Sequence, residues 1–257
     1  MSLKFVLLGC GSSMGVPRAD GFWGKCNPKI TRNYRTRCSA LILANDLNIL
    51  IDTSPDLRFQ LIKQKVKNID EVLYSHMHAD QVHGINDLRI FFIKNNKKIN
   101  VYADKITSKY LIKNFAYCFN KKKDYPPILK LNLLKKNLLF LDKKTKIKIK
   151  CIPVKHGSIK CLSFIINSKL AYASDINYIY NKDLHHFKNL KYFIVDCLRY
   201  SKHPAHFSLN EVLDLVKILK PKKTVLTNLH SDFDYNYLLK KLPNNVIPAH
   251  DGITLSI

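Results

Sequence analysis

The chain has no apolar run approaching the roughly 20 residues that a bilayer-spanning helix needs, so no segment of it reads as transmembrane. Its seven cysteines (Cys10, Cys26, Cys38, Cys118, Cys151, Cys161, Cys197) are odd in number, scattered and without a C-x-x-C pair. That argues against a disulfide framework and for reduced thiols. There is no internal repeat at a fixed period and no linker that would divide the chain. Acidic side chains are scarce, with 19 Asp and Glu against 43 Lys and Arg, for a net charge of +24. Such an excess raises nucleic acid as a partner. The lysines, however, stand in short runs (Lys121-Lys122-Lys123, Lys135-Lys136, Lys143-Lys144) among many Asn and Ile. Codon bias in an AT-rich genome produces that pattern with no binding role, so nucleic acid is not the favoured partner.

What is present is enough for a substantial core: 257 residues, 46% of them hydrophobic, read as a single domain over 1–257. Phe5-Val6-Leu7-Leu8-Gly9-Cys10 looks superficially like a lipoprotein cleavage site, but its apolar part is only four residues. A signal peptide has roughly 7–15, so this segment reads as a first strand. A cytoplasmic location is the default expectation, with no membrane partner. The state of assembly is open, a homodimer included.

Along the chain, short β-rich runs alternate with amphipathic helical ones. Lys4 to Leu8, Ser39 to Leu43 and Leu47 to Ile51 read as strands, the last two as a hairpin around Asn45-Asp46. The loop between Gly11 and Arg37 is long enough to suggest function. Asp56 to Val66 reads as a helix, Glu71 to Tyr74 as a strand, Gly84 to Lys94 as a helix, Asn100 to Ala103 as a strand and Ser108 to Phe119 as a helix. Asn120 to Lys144, Lys-rich and carrying Pro126-Pro127, is expected to be an irregular surface insertion. Strands return at Ile147 to Val154, Leu162 to Ile166, Lys169 to Ala173 and Tyr192 to Val195. Ser208 to Lys220 then reads as a helix, with Ser208 as N-cap, Glu211 completing a capping box and Pro221 ending it.

The chemistry concentrates in His76-Met77-His78-Ala79-Asp80-Gln81-Val82-His83-Gly84, directly after the apolar run Val72-Leu73-Tyr74. On an extended backbone, side chains at i and i+2 share a face roughly 6.6 Å apart along the strand, so two imidazoles can close on one cation. Further ligand-capable residues end later apolar runs: His156, Asp175, Asp196, and Asn228 with His230. Strand ends are where open α/β-type sheets expose ligands. Unpaired buried polar groups cost a few kcal/mol each, and a shared metal would satisfy several together.

These segments carry a resemblance. The chain is similar to the metallo-β-lactamase-fold hydrolases, in the branch of phosphoribosyl cyclic phosphate phosphodiesterase. The shared features are Gly9-Cys10-Gly11-Ser12-Ser13 with Gly15-Val16-Pro17-Arg18, Leu50-Ile51-Asp52-Thr53-Ser54-Pro55-Asp56, and the His76 segment with Gly84-Ile85-Asn86-Asp87-Leu88-Arg89. Val154-Lys155-His156-Gly157, Ser174-Asp175 and His250-Asp251-Gly252 complete the set. The resemblance spans the whole chain and implies an α/β fold, a four-layer αββα sandwich of two β-sheets with helices on the outer faces. It implies that His76, His78 and His156 hold a first metal, that Asp80 helps hold a second, and that Asp175 bridges both. Zinc suits such a donor set, with manganese as the alternative. The family motif usually has a histidine where Gln81 stands and another where Asn228 stands. Both departures fall on the second metal. Either Gln81 and Asn228 hydrogen-bond each other there, or His83 and His230 supply displaced ligands, so one metal or two stays open. Relatives that carry a structural zinc use clustered cysteines near the first loop; only Cys26 lies there, so none is expected.

His206 matches a histidine that assists departure of the leaving oxygen in the phosphodiesterase branch, and an imidazole suits proton donation near neutral pH. His206 and Asp80 are the catalytic candidates. Arg18, Arg37, Arg199 and His203 are the candidate substrate contacts, with Arg35 also considered and Arg89 expected in a structural ion pair. Asp52 is expected to orient a metal ligand, and His185 and His186 to be solvated. The implied activity is that of a metal-dependent hydrolase acting through metal-activated water on a small cyclic or otherwise activated phosphodiester. The alternatives are an RNA-processing nuclease of the same fold, and a non-catalytic binding or carrier protein with a degenerate second metal site.

Overall fold

The structure, a computed structural model, describes residues 3–121, 125–142 and 145–257; Lys122, Lys123, Lys143 and Lys144 of the lysine runs lie outside the described residues. In chain order the elements are β1 (Lys4–Gly9), β2 (Ser39–Leu43), β3 (Asn48–Ile51), α1 (Leu57–Lys63), β4 (Glu71–Leu73), α2 (Ala79–Val82), α3 (Arg89–Asn95), β5 (Ile99–Ala103), α4 (Lys105–Asn114), α5 (Ala116–Phe119), β6 (Leu129–Leu133) and β7 (Asn137–Asp142). They continue with β8 (Thr145–His156), β9 (Ile159–Ile166), β10 (Leu170–Ala173), β11 (Tyr192–Asp196), α6 (Leu209–Leu219), β12 (Lys223–Thr227), α7 (Tyr235–Lys241), β13 (Val246–Pro248) and β14 (Thr254–Ser256).

Two sheets of seven strands form, in the orders β14-β1-β2-β3-β4-β5-β6 and β13-β12-β11-β10-β9-β8-β7. Their facing surfaces interdigitate through Phe5, Leu7, Ile42, Ile51 and Leu73 from the first sheet and Ile149, Phe164, Ile166, Tyr172 and Val225 from the second. The outer face of the first sheet packs Val6, Leu41, Leu50, Val72 and Val101 against Leu57, Leu61, Leu88, Phe91 and Leu111 from its helical layer. The outer face of the second packs Ala173, Phe193, Val195 and Leu226 against Val212, Val216 and Leu219 of α6 and Leu238 of α7. This is the expected αββα sandwich. Period-2 alternation explains it, since each central strand sends apolar side chains to both faces and each face is covered.

The segment between Asn120 and Lys144, expected to be irregular, instead carries two strands. β6 adds to β5 in parallel and β7 adds to β8 antiparallel, each at the end of its sheet. Leu129-Lys130-Leu131-Asn132-Leu133 is a period-2 alternation obscured by its lysines and by Pro126-Pro127. Edge strands tolerate such composition, and lysines there discourage pairing with another chain. Two expected helices are also divided. Gly84 to Lys94 becomes a 3-10 turn over Ile85–Leu88 followed by α3. Ser108 to Phe119 becomes α4 and α5, broken at Phe115. α4 starts earlier than expected because the Asp104 side chain accepts from Thr107 N at 2.7 Å and caps it.

The functional consequence lies in strand direction. β3, β4 and β5 run parallel, as do β10, β11, β12 and β13. Their C-terminal ends therefore carry Asp52, His76, Asp175, Asp196 and Asn228. Gly84 sits where close packing demands no side chain: a Cβ there would stand 2.0 Å from Ser54 O, so the His76–His83 loop is pressed onto the segment after β3.

Candidate metal centre

His76 and His78 leave β4 and His156 ends β8, and the three rings meet edge to face with centroids 4.6, 5.2 and 5.1 Å apart. One nitrogen from each lies within 4.8 Å of the others. His76 is 2% exposed, and its Nε2 has no hydrogen-bond partner among the described residues. Its Nδ1 is 3.0 Å from Ser75 Oγ and 3.5 Å from Cys161 Sγ. Ser75 N in turn donates to Asp52 Oδ1 at 2.7 Å, so Asp52 orients His76 through Ser75 rather than directly. His156 Nδ1 lies 2.8 Å from Ala205 O, which can only accept, so Nδ1 carries the proton and Nε2 keeps its lone pair. Burial pushes His76 down to about 3 and lowers His156, which keeps both imidazoles neutral, as cation binding requires. A buried, neutral, partnerless nitrogen beside two more imidazoles fits a divalent cation.

Asp175, at the end of β10, joins His156 and His206 in a second group of ligand atoms within 4.8 Å of one another. Gln81 and Asn228 do not hydrogen-bond each other. They meet through Asp175: Gln81 Nε2 donates to Asp175 Oδ2 at 3.2 Å and Asn228 Nδ2 to Asp175 Oδ1 at 3.3 Å. Burial and the neighbouring Asp175 raise Asp80 to about 6. His83 turns away, with Nε2 3.2 Å from Tyr110 OH. His230 lines the same cleft but joins neither group, and its Nδ1 is 3.5 Å from Asp232 Oδ2.

His206 lies across this cleft, its ring 4.7 Å from that of His156. Its Nδ1 is 2.5 Å from Oδ2 of Asp196, a carboxylate that is 0% exposed. Burial alone would lower His206, but Asp196 raises it to about 9, so the ring is a cation at neutral pH. The sequence offered Asp196 as a ligand-capable carboxylate at a strand end; its partner is the His206 imidazole. No local motif could have linked it to His206, because the pairing depends on how the chain returns after β11.

The cleft has a volume of 380 Å³, and Arg199 and His203 stand among its lining residues with Asp80, Asp175, His206 and Asn228. Arg199 gives Nε and Nη2 to the carbonyls of Ser201 and Lys202. His203 Nδ1 accepts from Ala205 N at 3.2 Å. The other arginines lie elsewhere. Arg37 is clamped by Asp56 through Nε at 2.8 Å and Nη2 at 2.6 Å, and Arg18 pairs with Asp20; neither lines the cleft. Arg35 is buried, donating to Phe233 O at 2.6 Å, so it holds the long first loop and cannot reach a substrate. Arg89 stacks 5.7 Å from the Tyr125 ring and enters no ion pair among the described residues. His185 and His186 stack on each other 3.8 Å apart, with His186 Nδ1 3.4 Å from Lys150 Nζ. Asp251, missed as a functional position, accepts from Thr36 N at 2.8 Å and Cys10 N at 3.1 Å and ties the first loop to the end of the chain. All seven cysteines are free and buried. No helix among the described residues is long and apolar enough to cross a membrane.

Comparison with known proteins agrees with this geometry. The model of the β-lactamase superfamily domain matches residues 47–228. A solved diphosphatase from the PhnP family superposes with a TM-score of 0.90 at 27% identity, covering 100% of this chain and 98% of that one. YhfI from Bacillus subtilis, a metallo-β-lactamase fold protein, gives 0.75 at 17% identity over 99% of both chains, and human tRNase Z, short form, 0.70 at 15% over 99% of both; these two show the fold alone. An octanoyltransferase from Porphyromonas gingivalis (strain ATCC BAA-308 / W83) is 29% identical over 98% of this chain and 51% of its own, so the chain spans about half the length of that relative. The chain belongs to the β-lactamase superfamily. Within that superfamily it is PhnP-like.

Proposed function

We propose that the protein hydrolyses a phosphodiester, a small cyclic or otherwise activated one first. The observation that carries this reading is the His206–Asp196 pair facing a three-imidazole centre across one small cleft. The likeness to a PhnP-family diphosphatase supports phosphorus as the reacting centre.

His76, His78 and His156, with Asp175, would hold the divalent cation, and this imidazole-rich set suits zinc, with manganese second. Such a cation supplies Lewis acidity toward a phosphoryl oxygen and toward water. The remaining roles belong to the chain. Ser75 and Ala205 O fix the imidazole orientations from behind. Arg199, its Nε and one Nη2 hydrogen given to its own loop, offers its remaining N–H groups to an anionic phosphate oxygen, and His203 stands beside it. The His206 cation gives its Nε2 proton to the departing oxygen as the P–O bond breaks. The neutral imidazole left behind keeps its Nδ1–H on Asp196.

The test is turnover of bis-p-nitrophenyl phosphate with and without added divalent metal, beside His76→Ala. Metal-dependent turnover that is lost in the variant is expected. Absence of any metal dependence, with His76→Ala equal to wild type, would overturn the reading. Running a cyclic ribose phosphate and an RNA in parallel separates the substrates: cleavage of RNA alone would favour a nuclease, and inertness toward all three a carrier.

A further inference from the structure

Asp80 and Asp175 bring two carboxylates to one group. Gln81 Nε2 stands 3.2 Å from Asp80 Oδ2 and 3.2 Å from Asp175 Oδ2. Gln81 is 1% exposed and Asp175 is buried, while Asp80 is half-buried at the cleft. On the other side Asn228 Nδ2 donates to Ser174 O at 3.0 Å. A carbonyl only accepts, so the Asn228 amino group, not its oxygen, faces Asp175 Oδ1 at 3.3 Å. Asn228 is held in this pose by a left-handed backbone with φ of 60°, which asparagine tolerates better than most residues. Both oxygens of Asp175 thus accept from amide N–H groups, one lone pair each, and the amino groups that stand there only donate, so they cannot ligate a second cation.

A cation shared by Asp80 and Asp175 would also need further donors. Among the described residues the three-ligand groups are His76 with His78 and His156, and His156 with Asp175 and His206; Asp80 belongs to neither. Of the two spare histidines, His83 pairs with Tyr110, and His230, though it lines the cleft, joins neither group.

We propose that the centre is mononuclear: the amides of Gln81 and Asn228 occupy the position of a second cation and hold Asp175 in place for the single ion on the three imidazoles. This inference rests on the metal-dependent reading of the site. It makes Gln81 and Asn228 positioning residues of a one-metal hydrolase, and removes Asp80 from metal binding.

The experiment is a metal count. Full-length protein is loaded with excess Zn2+, and separately with Mn2+, desalted, and measured by inductively coupled plasma mass spectrometry and native mass spectrometry. His76→Ala/Asp175→Ala gives the background from surface binding. One ion per chain above background is expected for wild type, and two would overturn the proposal while leaving the hydrolase reading intact. None above background would sink both. Gln81→His/Asn228→His, which restores imidazole donors in place of the amides, is expected to double the count to two. A folded double variant, judged by circular dichroism, that stays at one would refute the role given to the amides. Should it fail to fold, the wild-type count decides.

Discussion

Removing the charge of Asp196 while keeping its shape should move proton donation by His206 in a calculable way. Asp196 is fully buried, with Oδ2 2.5 Å from His206 Nδ1 and also accepting from Ile176 N at 3.0 Å. It is the group that raises His206 against its burial to about 9. With Asp196→Asn the ring returns toward the ordinary imidazole value of roughly 6.5. The sign follows: a raised imidazole donates below its own value, so the basic limb of activity lies near pH 9 in wild type and shifts acidward in the variant. At about pH 7.5 the protonated fraction falls from nearly all to roughly one-tenth, so turnover of a substrate with an alkoxide leaving group drops about tenfold. His206→Ala removes the donor altogether and should cost about 10²–10⁴-fold on the same substrate. A p-nitrophenolate leaving group departs without a proton, so bis-p-nitrophenyl phosphate should be far less affected. The assay is the pH profile of kcat for a ribose cyclic phosphate and for the nitrophenyl ester, wild type against both variants. Equal losses on the two substrates, or a basic limb that does not move with Asp196→Asn, would refute proton donation by this pair.

Arg199→Ala should raise KM and lower kcat/KM about tenfold or more, because a hydrogen bond to a charged group contributes about 1.5–3 kcal/mol. Arg37→Ala, which breaks the clamp on Asp56, should leave KM unchanged and lower the urea midpoint; steady-state kinetics beside denaturation curves distinguish the two arginines. Gly84→Ala places a Cβ 2.0 Å from Ser54 O, which is backbone and cannot swing away. Overpacking of this kind costs typically about 1–3 kcal/mol, and a melting temperature equal to wild type would contradict the packing described. Phe193→Ala, in the core between β11 and α6, should cost about 3–5 kcal/mol by urea unfolding.

The layered fold was legible because apolar alternation and strand-end polar residues recur along the whole chain, and because the capping box at Ser208 shows in four residues. Glu211 Oε2 does accept from Ser208 N at 2.9 Å, where the helix begins. The edge strands β6 and β7 were hidden because an edge position needs little hydrophobicity and their lysines mimic a loop. The helix breaks at Leu88 and Phe115 follow from tertiary packing, which overrides a continuous 3.6-residue pattern. At the site, the convergence of His76, His78 and His156 was readable from spacing and from resemblance. What the substituted amides do was not. Gln81 and Asn228 read as two lost ligands, yet their partner is Asp175, which is remote from both in the chain. Arginines posed a similar problem: a guanidinium that binds phosphate and one that clamps a carboxylate look alike until the partner is in place, as Arg199 and Arg37 show.

The claim beneath all of this is that His76, His78 and His156 hold one cation between them. X-ray absorption at the zinc edge, on protein loaded with a single equivalent of Zn2+, reads the donor set directly. Scattering from three imidazole rings in the first shell, falling to two in His78→Ala, is the expected result. A shell containing sulfur, or one with fewer than three imidazoles in the wild-type protein, would contradict it.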